Sequence, residues 1–326
     1  MIRKISWLAF GLLLCGHGLH AQSAMVSSPL NAPAVITPNI ATDPDAIFEL
    51  DPAAVIQLME FDLSNRMTVA VRINNGAPVP FIVDTGSERT VISNELARHL
   101  ALKSGPSLNL ATLAGPAKVP SFIIDNISTL TIQTGSIQAP GLMHNNLGAF
   151  GLLGIDSLED RKVLLDFKKN SMQVLPSARG KGRTLEENGM LIVQAQRRAG
   201  RMILSSAQIG NDKVDIILDT GAQNSIGNAA LRRRLRGADR SRGYQEVQLR
   251  SVTGAIVAGE MTQIAAIDIG GFSINDMPIV FADNYVFGAL GLEKRPALLL
   301  GMDTLKLFDR VMVDFANRRV GFDLPR

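Results

Sequence analysis

The most informative stretch of the chain is Phe81-Ile-Val-Asp-Thr-Gly86, because it recurs 135 positions later as Ile216-Ile-Leu-Asp-Thr-Gly221. In both copies an apolar run typical of a β-strand leads directly into Asp-Thr-Gly. One such tripeptide is a common surface turn, since its residues favour turns. Two copies, each behind an apolar run, indicate a duplicated unit that places a carboxylate at the end of a strand.

Three other pairs of blocks recur in the same order, which makes the duplication general rather than local. Arg66-Met67 returns as Arg201-Met202, again 135 positions later. The remaining pairs are residues 152–158 (LLGIDSL) with 299–305 (LLGMDTL), and residues 163–167 (VLLDF) with 311–315 (VMVDF).

The duplication and the short β-branched runs predict an all-β fold of two homologous lobes, each of a six-stranded β-barrel type with few short helices. We expect the first lobe at 61–178 and the second at 185–326, joined by the Gly- and charge-rich linker near 176–188. Short helices are predicted at Asn94–Leu102, at Asn228–Leu235 and after each Leu-Leu-Gly. The predicted strands are Met67–Ile73, Val79–Val83, Phe122–Ile132, Val163–Phe167, Lys213–Leu218, Met261–Ile269 and Arg310–Phe315.

The first 21 residues have the layout of a secretory signal peptide. Arg3 and Lys4 precede an apolar run from Trp7 to Cys15, and small residues surround Ala21, where we expect cleavage. This predicts a periplasmic or secreted protein. Residues 22–60 are rich in Ala, Pro, Asn and Ser and predict a flexible lead-in, with a prosegment role left open. No later run approaches the ~20 apolar residues of a spanning helix, so we expect no transmembrane anchor.

Composition limits the chemistry of the exported chain. Cys15, the only cysteine, lies in the leader, and only His99 and His144 remain after it, so we expect neither metal nor cofactor. Without Arg3 and Lys4, 31 basic residues face 30 acidic ones, which does not support nucleic-acid binding. The arginines between Arg232 and Arg242 could contact an anionic polymer or form a solvated helix end.

Asp84 and Asp219 are the candidate catalytic residues. A duplicated unit suggests pseudo-twofold symmetry, which would bring the two strand-end turns together. Two carboxyl groups at ~3 Å cannot both ionise cheaply, so they share one proton. The ionised group can then take a proton from water while the other protonates or hydrogen-bonds a substrate carbonyl.

These motifs resemble the pepsin and retropepsin clan of aspartic peptidases, specifically its bacterial retropepsin-like members as a tandem fusion, over roughly Phe61 to Leu324. The resemblance implies that Thr85 and Thr220 interlock across the lobes, and that Gly86 and Gly221 permit the tight turns, which Ser87 and Ala222 support. It also implies that each Leu-Leu-Gly packs beneath an Asp turn. Asp156 and Asp303 are expected to cap the helices that follow.

Substrate contacts are also implied by the resemblance. Glu88 and Gln223, four residues after each aspartate, would bind the substrate main chain, although solvated loop positions are an alternative. No tyrosine precedes Tyr244, so a pepsin-type flap is absent and Gly-tipped hairpins fit better. The candidate flaps are 111–119, with Gly115, and 251–259, with Gly254; ordinary hairpins are the alternative.

The sequence thus predicts an aspartic endopeptidase that acts on extended peptide or protein substrates in a cleft between lobes. We expect a monomer, because one chain already supplies both halves of the site; one active lobe in a homodimer is an alternative. A peptide-binding scaffold that keeps the bilobal fold without catalysis is the alternative function, which intact Asp84 and Asp219 disfavour.

Overall fold

A computed structural model of the protein describes residues 34–39, 56–62, 66–158, 161–177, 186–187, 189–198, 200–238, 243–282 and 284–325. The predicted signal peptide lies outside these residues, as does most of the lead-in. Within them the chain is mostly strand with few short helices, which confirms the all-β prediction. No helix in this part of the chain combines the length and apolar character that crossing a membrane requires.

The first lobe is built on a ten-stranded sheet, and the second on a nine-stranded sheet. Both exceed the six strands expected, because segments outside the predicted strands also pair. The strands of the first sheet are Glu60–Phe61, Met67–Ile73, Val79–Val83, Val91–Ser93, Ser104–Thr112, Gly115–Ile124, Ile127–Ser128, Gln133–Thr134, Ile137–Leu142 and Gly151–Leu153. In the second they are Val35–Pro38, Gln196–Arg198, Arg201–Ile209, Asp212–Leu218, Ile226–Gly227, Gln245–Arg250, Ile256–Ile269, Phe272–Ala282 and Ala297–Leu300.

A third sheet of seven strands joins the lobes, and we call it the joint sheet. Its central pair consists of Arg161–Asp166 and Arg310–Asp314, which contain the two copies of one repeated block. Leu164 lies opposite Met312, its own counterpart in the repeat, so a pseudo-twofold axis passes between these two residues. The other strands are Ile56–Leu58, Ser171–Pro176, Glu186–Glu187, Met190–Gln194 and Arg319–Asp323.

One large apolar core runs through both lobes and the joint sheet. Packing among three phenylalanine rings connects the second lobe to the joint sheet. The ring of Phe272 lies 5.3 Å from that of Phe308 and 5.1 Å from that of Phe322, and Phe308 and Phe322 are 4.8 Å apart. Aromatic pairs at such separations add to the free energy gained by burying their area.

The helices are short and lie where the chain leaves a strand. Those predicted after each Leu-Leu-Gly are present, as Ile155–Ser157, which is a 3₁₀ turn, and Met302–Leu305. The helix expected at Asn94–Leu102 ends earlier, because Ala101 takes a left-handed backbone with φ 50°. The remaining helices are Asn94–His99, His144–Leu147, Ala229–Ala238 and Tyr285–Ala289.

Two expectations from the sequence need correction. The predicted strand Phe122–Ile132 breaks after Ile124, where the backbone N–H groups of Asp125 and Asn126 both donate to the side-chain oxygen of Asn74. The lead-in expected to be flexible contributes strands instead. Val35–Pro38 pairs with the edge of the second-lobe sheet, and Ile56–Leu58 pairs with the joint sheet.

Candidate active site

The two aspartates end equivalent strands in the two lobes. Asp84 follows Val79–Val83 and Asp219 follows Asp212–Leu218, each beside a parallel strand made by the Leu-Leu-Gly block. The backbone N–H of Asp84 donates to the carbonyl of Leu153 at 3.0 Å, and that of Asp219 donates to Leu300 at 3.1 Å. Each Leu-Leu-Gly strand therefore holds the first residue of the neighbouring Asp-Thr-Gly turn by a backbone hydrogen bond.

Thr85 and Thr220 interlock the two turns. The backbone N–H of Thr85 donates to the hydroxyl of Thr220 at 3.0 Å, and that of Thr220 donates to the hydroxyl of Thr85 at 3.2 Å. Each hydroxyl also donates across the interface, Thr85 to the carbonyl of Leu218 at 3.2 Å and Thr220 to that of Val83 at 2.6 Å. Both threonines are buried, so these polar groups hold the strand ends of the two lobes together.

Gly86 and Gly221 make room for the carboxyl group of the opposite lobe. A methyl group added to Gly86 would lie 2.4 Å from the carboxyl carbon of Asp219, and one added to Gly221 would lie 2.3 Å from that of Asp84. The backbone N–H of each glycine donates to the aspartate of its own turn, at 2.8 Å and 3.0 Å. Only glycine permits this approach, and neither position has a positive φ.

The environment of the pair favours retention of a proton. Burial, and then the charge of Asp219, raise the pKa of Asp84 to about 7, against the lowering effects of Arg201, the Gly86 N–H and Arg66. Burial also raises the pKa of Asp219, against Arg201 and the N–H groups of Gly221 and Ala222. A side-chain hydrogen bond joins the two carboxyl groups. The pair therefore titrates as one unit that holds a proton up to about neutral pH.

Two arginines from the repeated Arg-Met blocks lie beside the pair, but they contact different groups. Arg201 is buried, donates to the carbonyl of Gly86 and forms a 3.6 Å ion pair with Glu88 across the lobe boundary. Arg66 instead pairs with Asp62 of its own lobe at 2.6 Å and donates to the carbonyl of Leu147. Gln223, which matches Glu88 in the repeat, has no charge to attract Arg66.

Asp156 and Asp303 do not cap the helices that follow, contrary to expectation. Gly154 and Gly301 are the N-cap residues, without a side-chain bond. The two carboxyl groups reach back to the loop after each catalytic turn. Asp156 accepts from the backbone N–H and the hydroxyl of Thr90 at 2.9 and 2.7 Å, and Asp303 accepts from those of Ser225 at 2.9 and 2.7 Å. Burial raises the pKa of Asp303.

The pair lies at the floor of a cleft with a volume of about 400 Å³. Apolar side chains make up part of its lining. Val91 and Ile226, each seven residues after an aspartate, occupy matching places on the two sides. The other apolar lining residues are Leu110, Ala111, Leu113, Leu142, Leu152, Ala222, Leu249, Val252, Val286, Ala289 and Leu299.

Each lobe sends a hairpin over the cleft to the opposite lobe. Leu113, at the tip of the first hairpin, packs into the second-lobe core, and its carbonyl accepts from the N–H of Tyr285 at 3.3 Å. Val252, at the tip of the second hairpin, packs into the first-lobe core. The predicted flaps are therefore hairpins that bridge the cleft.

Gly115 and Gly254 shape these tips and are not among the residues that line the cleft, so their role as substrate contacts stays a prediction. Both have a positive φ, 124° and 87°. A methyl group on Gly254 would lie 2.9 Å from the side chain of Asn146 in the first lobe.

Ser87, Glu88, Ala222 and Gln223 line the cleft, whereas Thr85 and Thr220 are buried and do not. The hydroxyl of Ser87 donates to the carbonyl of Arg89 at 2.7 Å, and the backbone N–H of Ala222 donates to Asp219 at 3.1 Å. The side-chain oxygen of Gln223 is buried and has no hydrogen-bond donor among the described residues. The structure therefore brings both turns, Glu88 and Gln223 to one cleft.

Sequence reasoning missed the roles of Arg66, Arg201 and the hairpin tips Leu113 and Val252. The recurrence of Arg-Met was visible, but nothing in the sequence showed that it lies beside the aspartates. The arginines of the cluster that the structure describes do not line the cleft. Arg232 pairs with Glu260 and Arg234 with Asp212 at 3.5 Å, while Arg240 and Arg242 lie outside the described residues.

Comparisons with known families agree with this arrangement. A family model described as aspartyl protease matches residues 205–304, and one described as gag-polyprotein putative aspartyl protease matches residues 69–160. No curated protein matches the chain significantly. Each match covers one strand-turn unit with its aspartate and its Leu-Leu-Gly block. The chain belongs to the retropepsin-like aspartic peptidase family, with one family segment in each lobe.

Proposed function

We propose that the protein is an aspartic endopeptidase in which Asp84 and Asp219 share one proton. The observation that supports this most directly is the reciprocal fit of the two turns. Each carboxyl group lies against the glycine of the opposite turn, and a hydrogen bond joins the pair. Because the pKa of Asp84 is raised to about 7, one carboxyl group of the pair keeps its proton while the other is ionised.

In the proposed reaction, water attacks the peptide carbonyl carbon. The ionised carboxylate takes a proton from that water, while the protonated carboxyl donates its proton to the carbonyl oxygen. The tetrahedral intermediate then collapses as the C–N bond breaks and the leaving nitrogen receives a proton from the pair. A hydroxyl of the intermediate returns its proton to the other carboxylate as the carbonyl re-forms, so the pair ends, as it began, with one proton.

The surrounding cleft fits an extended peptide. Apolar side chains flank the aspartates on both sides, and the two hairpins close over the floor. Glu88 and the buried side-chain oxygen of Gln223 lie at matched places in the two lobes. In this proposal they accept N–H groups of the substrate main chain.

The proposal extends to the place of action. The leader from Arg3 to Ala21 directs the protein out of the cytoplasm, to the periplasm or beyond. The protein without residues 1–21 should then be the active form. It contains no cysteine, so added reductant should leave its activity unchanged.

The test is a digest of proteome-derived peptide libraries with the protein lacking its leader, followed by mapping of the cut sites. Asp84→Asn and Asp219→Asn should each lower turnover by several orders of magnitude, and the double variant should be little worse, because the pair acts as a unit. Melting curves of the variants control for folding. Near-full activity of one single variant would refute the shared-proton assignment. Peptide binding without turnover by the parent protein would support the scaffold alternative.

A further inference from the structure

The charges that line the cleft are unequal. Apart from the catalytic pair, its only acidic lining residue in the described chain is Glu88, whereas four arginines line it: Arg66, Arg89, Arg201 and Arg250. Arg66 pairs with Asp62, and Arg201 pairs with Glu88. The question is therefore what Arg89 and Arg250 bind.

Neither guanidinium group has an ion-pair or hydrogen-bond partner within the described residues, although both arginines are exposed and line the cleft. Arg89 lies in the loop five residues after Asp84. Arg250 lies at the end of the strand Gln245–Arg250, where the second hairpin begins to turn over the cleft. Arg89 therefore lies on the side of the catalytic turns, and Arg250 lies on the side of the second hairpin.

The repeat shows that both charges are departures from symmetry. Asn224 occupies the place of Arg89 in the second lobe, five residues after its aspartate. Ala111 occupies the place of Arg250 in the first lobe, four residues before the tip glycine. Each lobe thus supplies one cleft arginine that the other lacks. The fold itself therefore does not require a cation at either position.

We propose that this cleft selects peptides that carry acidic side chains outside the central apolar positions, bound by Arg89 and Arg250. This inference rests on the proposed endopeptidase function and names its substrate class. The apolar walls beside Val91 and Ile226 accommodate the residues next to the scissile bond. A substrate carboxylate can then form charge-assisted, bidentate hydrogen bonds with a guanidinium group.

The experiment uses one library peptide that binds Asp84→Asn, whether or not the parent protein cleaves it, remade with Glu, Gln or Lys at the positions outside the central apolar residues. Binding to Asp84→Asn is measured by fluorescence anisotropy, and cleavage by the parent protein is measured as kcat/KM. The expected preference for Glu over Gln is about three- to tenfold per arginine contact, as for exposed charge-assisted pairs. The Lys peptide should bind more weakly than either, and the preference should shrink at high salt.

The variants Arg89→Gln and Arg250→Gln, made in the parent and in Asp84→Asn, should each reduce the preference for Glu, and the double variant should remove it. Arg233→Gln is the matched control, because Arg233 is exposed on the helix Ala229–Ala238 and does not line the cleft. Equal binding of the Glu and Gln peptides, or a preference that survives the double variant, would overturn the inference. Arginine-dependent preference for Glu in binding, without hydrolysis by the parent, would uphold it while refuting the proposed catalysis.

Discussion

At the residue scale, the site depends on opposing effects at one carboxyl pair. Burial and mutual repulsion favour a proton on the pair, while Arg201 and the N–H groups of the turn favour ionisation. Arg201 is the leading cation for both aspartates. The balance leaves Asp84 with a pKa of about 7, well above its usual 3.8.

The first prediction concerns the pH dependence of catalysis. Proteolysis needs one proton on the pair, so kcat/KM should fall as pH rises through about 7, the pKa of Asp84. Arg201→Met removes the cation that favours ionisation and should move this upper limb to higher pH. Initial rates between pH 3 and about 9 provide the measurement. An upper limb that stays in place in Arg201→Met would show that Arg201 does not act on the pair.

The second prediction concerns stability. The folded protein keeps a proton on Asp84 that the unfolded chain releases, since the pKa rises from 3.8 to about 7 on folding. The free energy of unfolding should therefore decrease as pH rises across this window and level off above it. Asp84→Asn should remove much of this decrease, whereas Asp125→Asn, at an exposed site, should not. Urea melts at several pH values would decide, and parallel pH profiles for parent and Asp84→Asn would contradict the assignment.

The third prediction concerns the reciprocal glycines. Gly86→Ala places a methyl group 2.4 Å from the carboxyl carbon of Asp219, so the aspartate must move. A displacement of this size should lower kcat at least ~100-fold. Gly135→Ala is the control, because nothing lies within 4 Å of its added methyl group and its φ is not positive. Similar activity in the two variants would show that the approach of the turns is not required.

At the scale of secondary-structure elements, the tip of each hairpin packs against the opposite lobe. Leu113 and Val252 each pack into the core of the opposite lobe, so closure of the cleft is coupled to burial of an apolar side chain. Opening a hairpin must expose that side chain further to water, at a cost below the ~1.5–3 kcal/mol of a fully buried side chain, because both side chains are only partly buried.

The fourth prediction compares the two hairpin tips. Gly254→Ala and Gly115→Ala both force alanine into a positive φ, but only Gly254→Ala also meets Asn146, at 2.9 Å. Gly254→Ala should therefore lower kcat/KM for long peptides more than Gly115→Ala does. Both should melt within a few degrees of the parent, as expected for ~1 kcal/mol at a surface turn. Equal kinetics for the two variants would show that the contact with Asn146 does not control capture.

At the scale of the whole molecule, the joint sheet makes the two lobes one unit. Strands of the second half lie on one side of the pseudo-twofold axis and strands of the first half on the other, and this axis passes between Leu164 and Met312. These two residues form a buried cluster with Met190 and Ile192. The Thr85 and Thr220 interlock lies at the catalytic floor, so two separate connections fix the distance between the aspartates.

The fifth prediction tests this coupling. Leu164→Ala should cost about 2–5 kcal/mol, as for other buried leucines, and should lower the Tm of a single cooperative transition for both lobes. Leu130→Ala is the control, because Leu130 is 71% exposed. Calorimetry gives the measurement. Two separate transitions, of which only one shifts, would mean that the lobes unfold independently.

The duplicated motifs were sufficient to predict the all-β fold and two lobes, and to nominate Asp84 and Asp219. This information is local: an apolar run before Asp-Thr-Gly specifies a strand that ends in a turn, and its repetition implies a partner. The helices after Leu-Leu-Gly were predictable for the same reason. The boundaries of Phe122–Ile132 were not, because Asn74, a residue distant in sequence, ends the strand.

Only the tertiary structure decided which residues surround the pair. Arg201 contacts Gly86 across 115 positions of sequence, and Val252 packs against a core built from the other lobe. It also decided that Asp156 and Asp303 hold loops instead of capping helices, and that Val35–Pro38 completes a sheet edge. Such contacts depend on how two repeated units pack face to face. A one-dimensional pattern records the periodicity of each strand but not the distances between residues of different lobes.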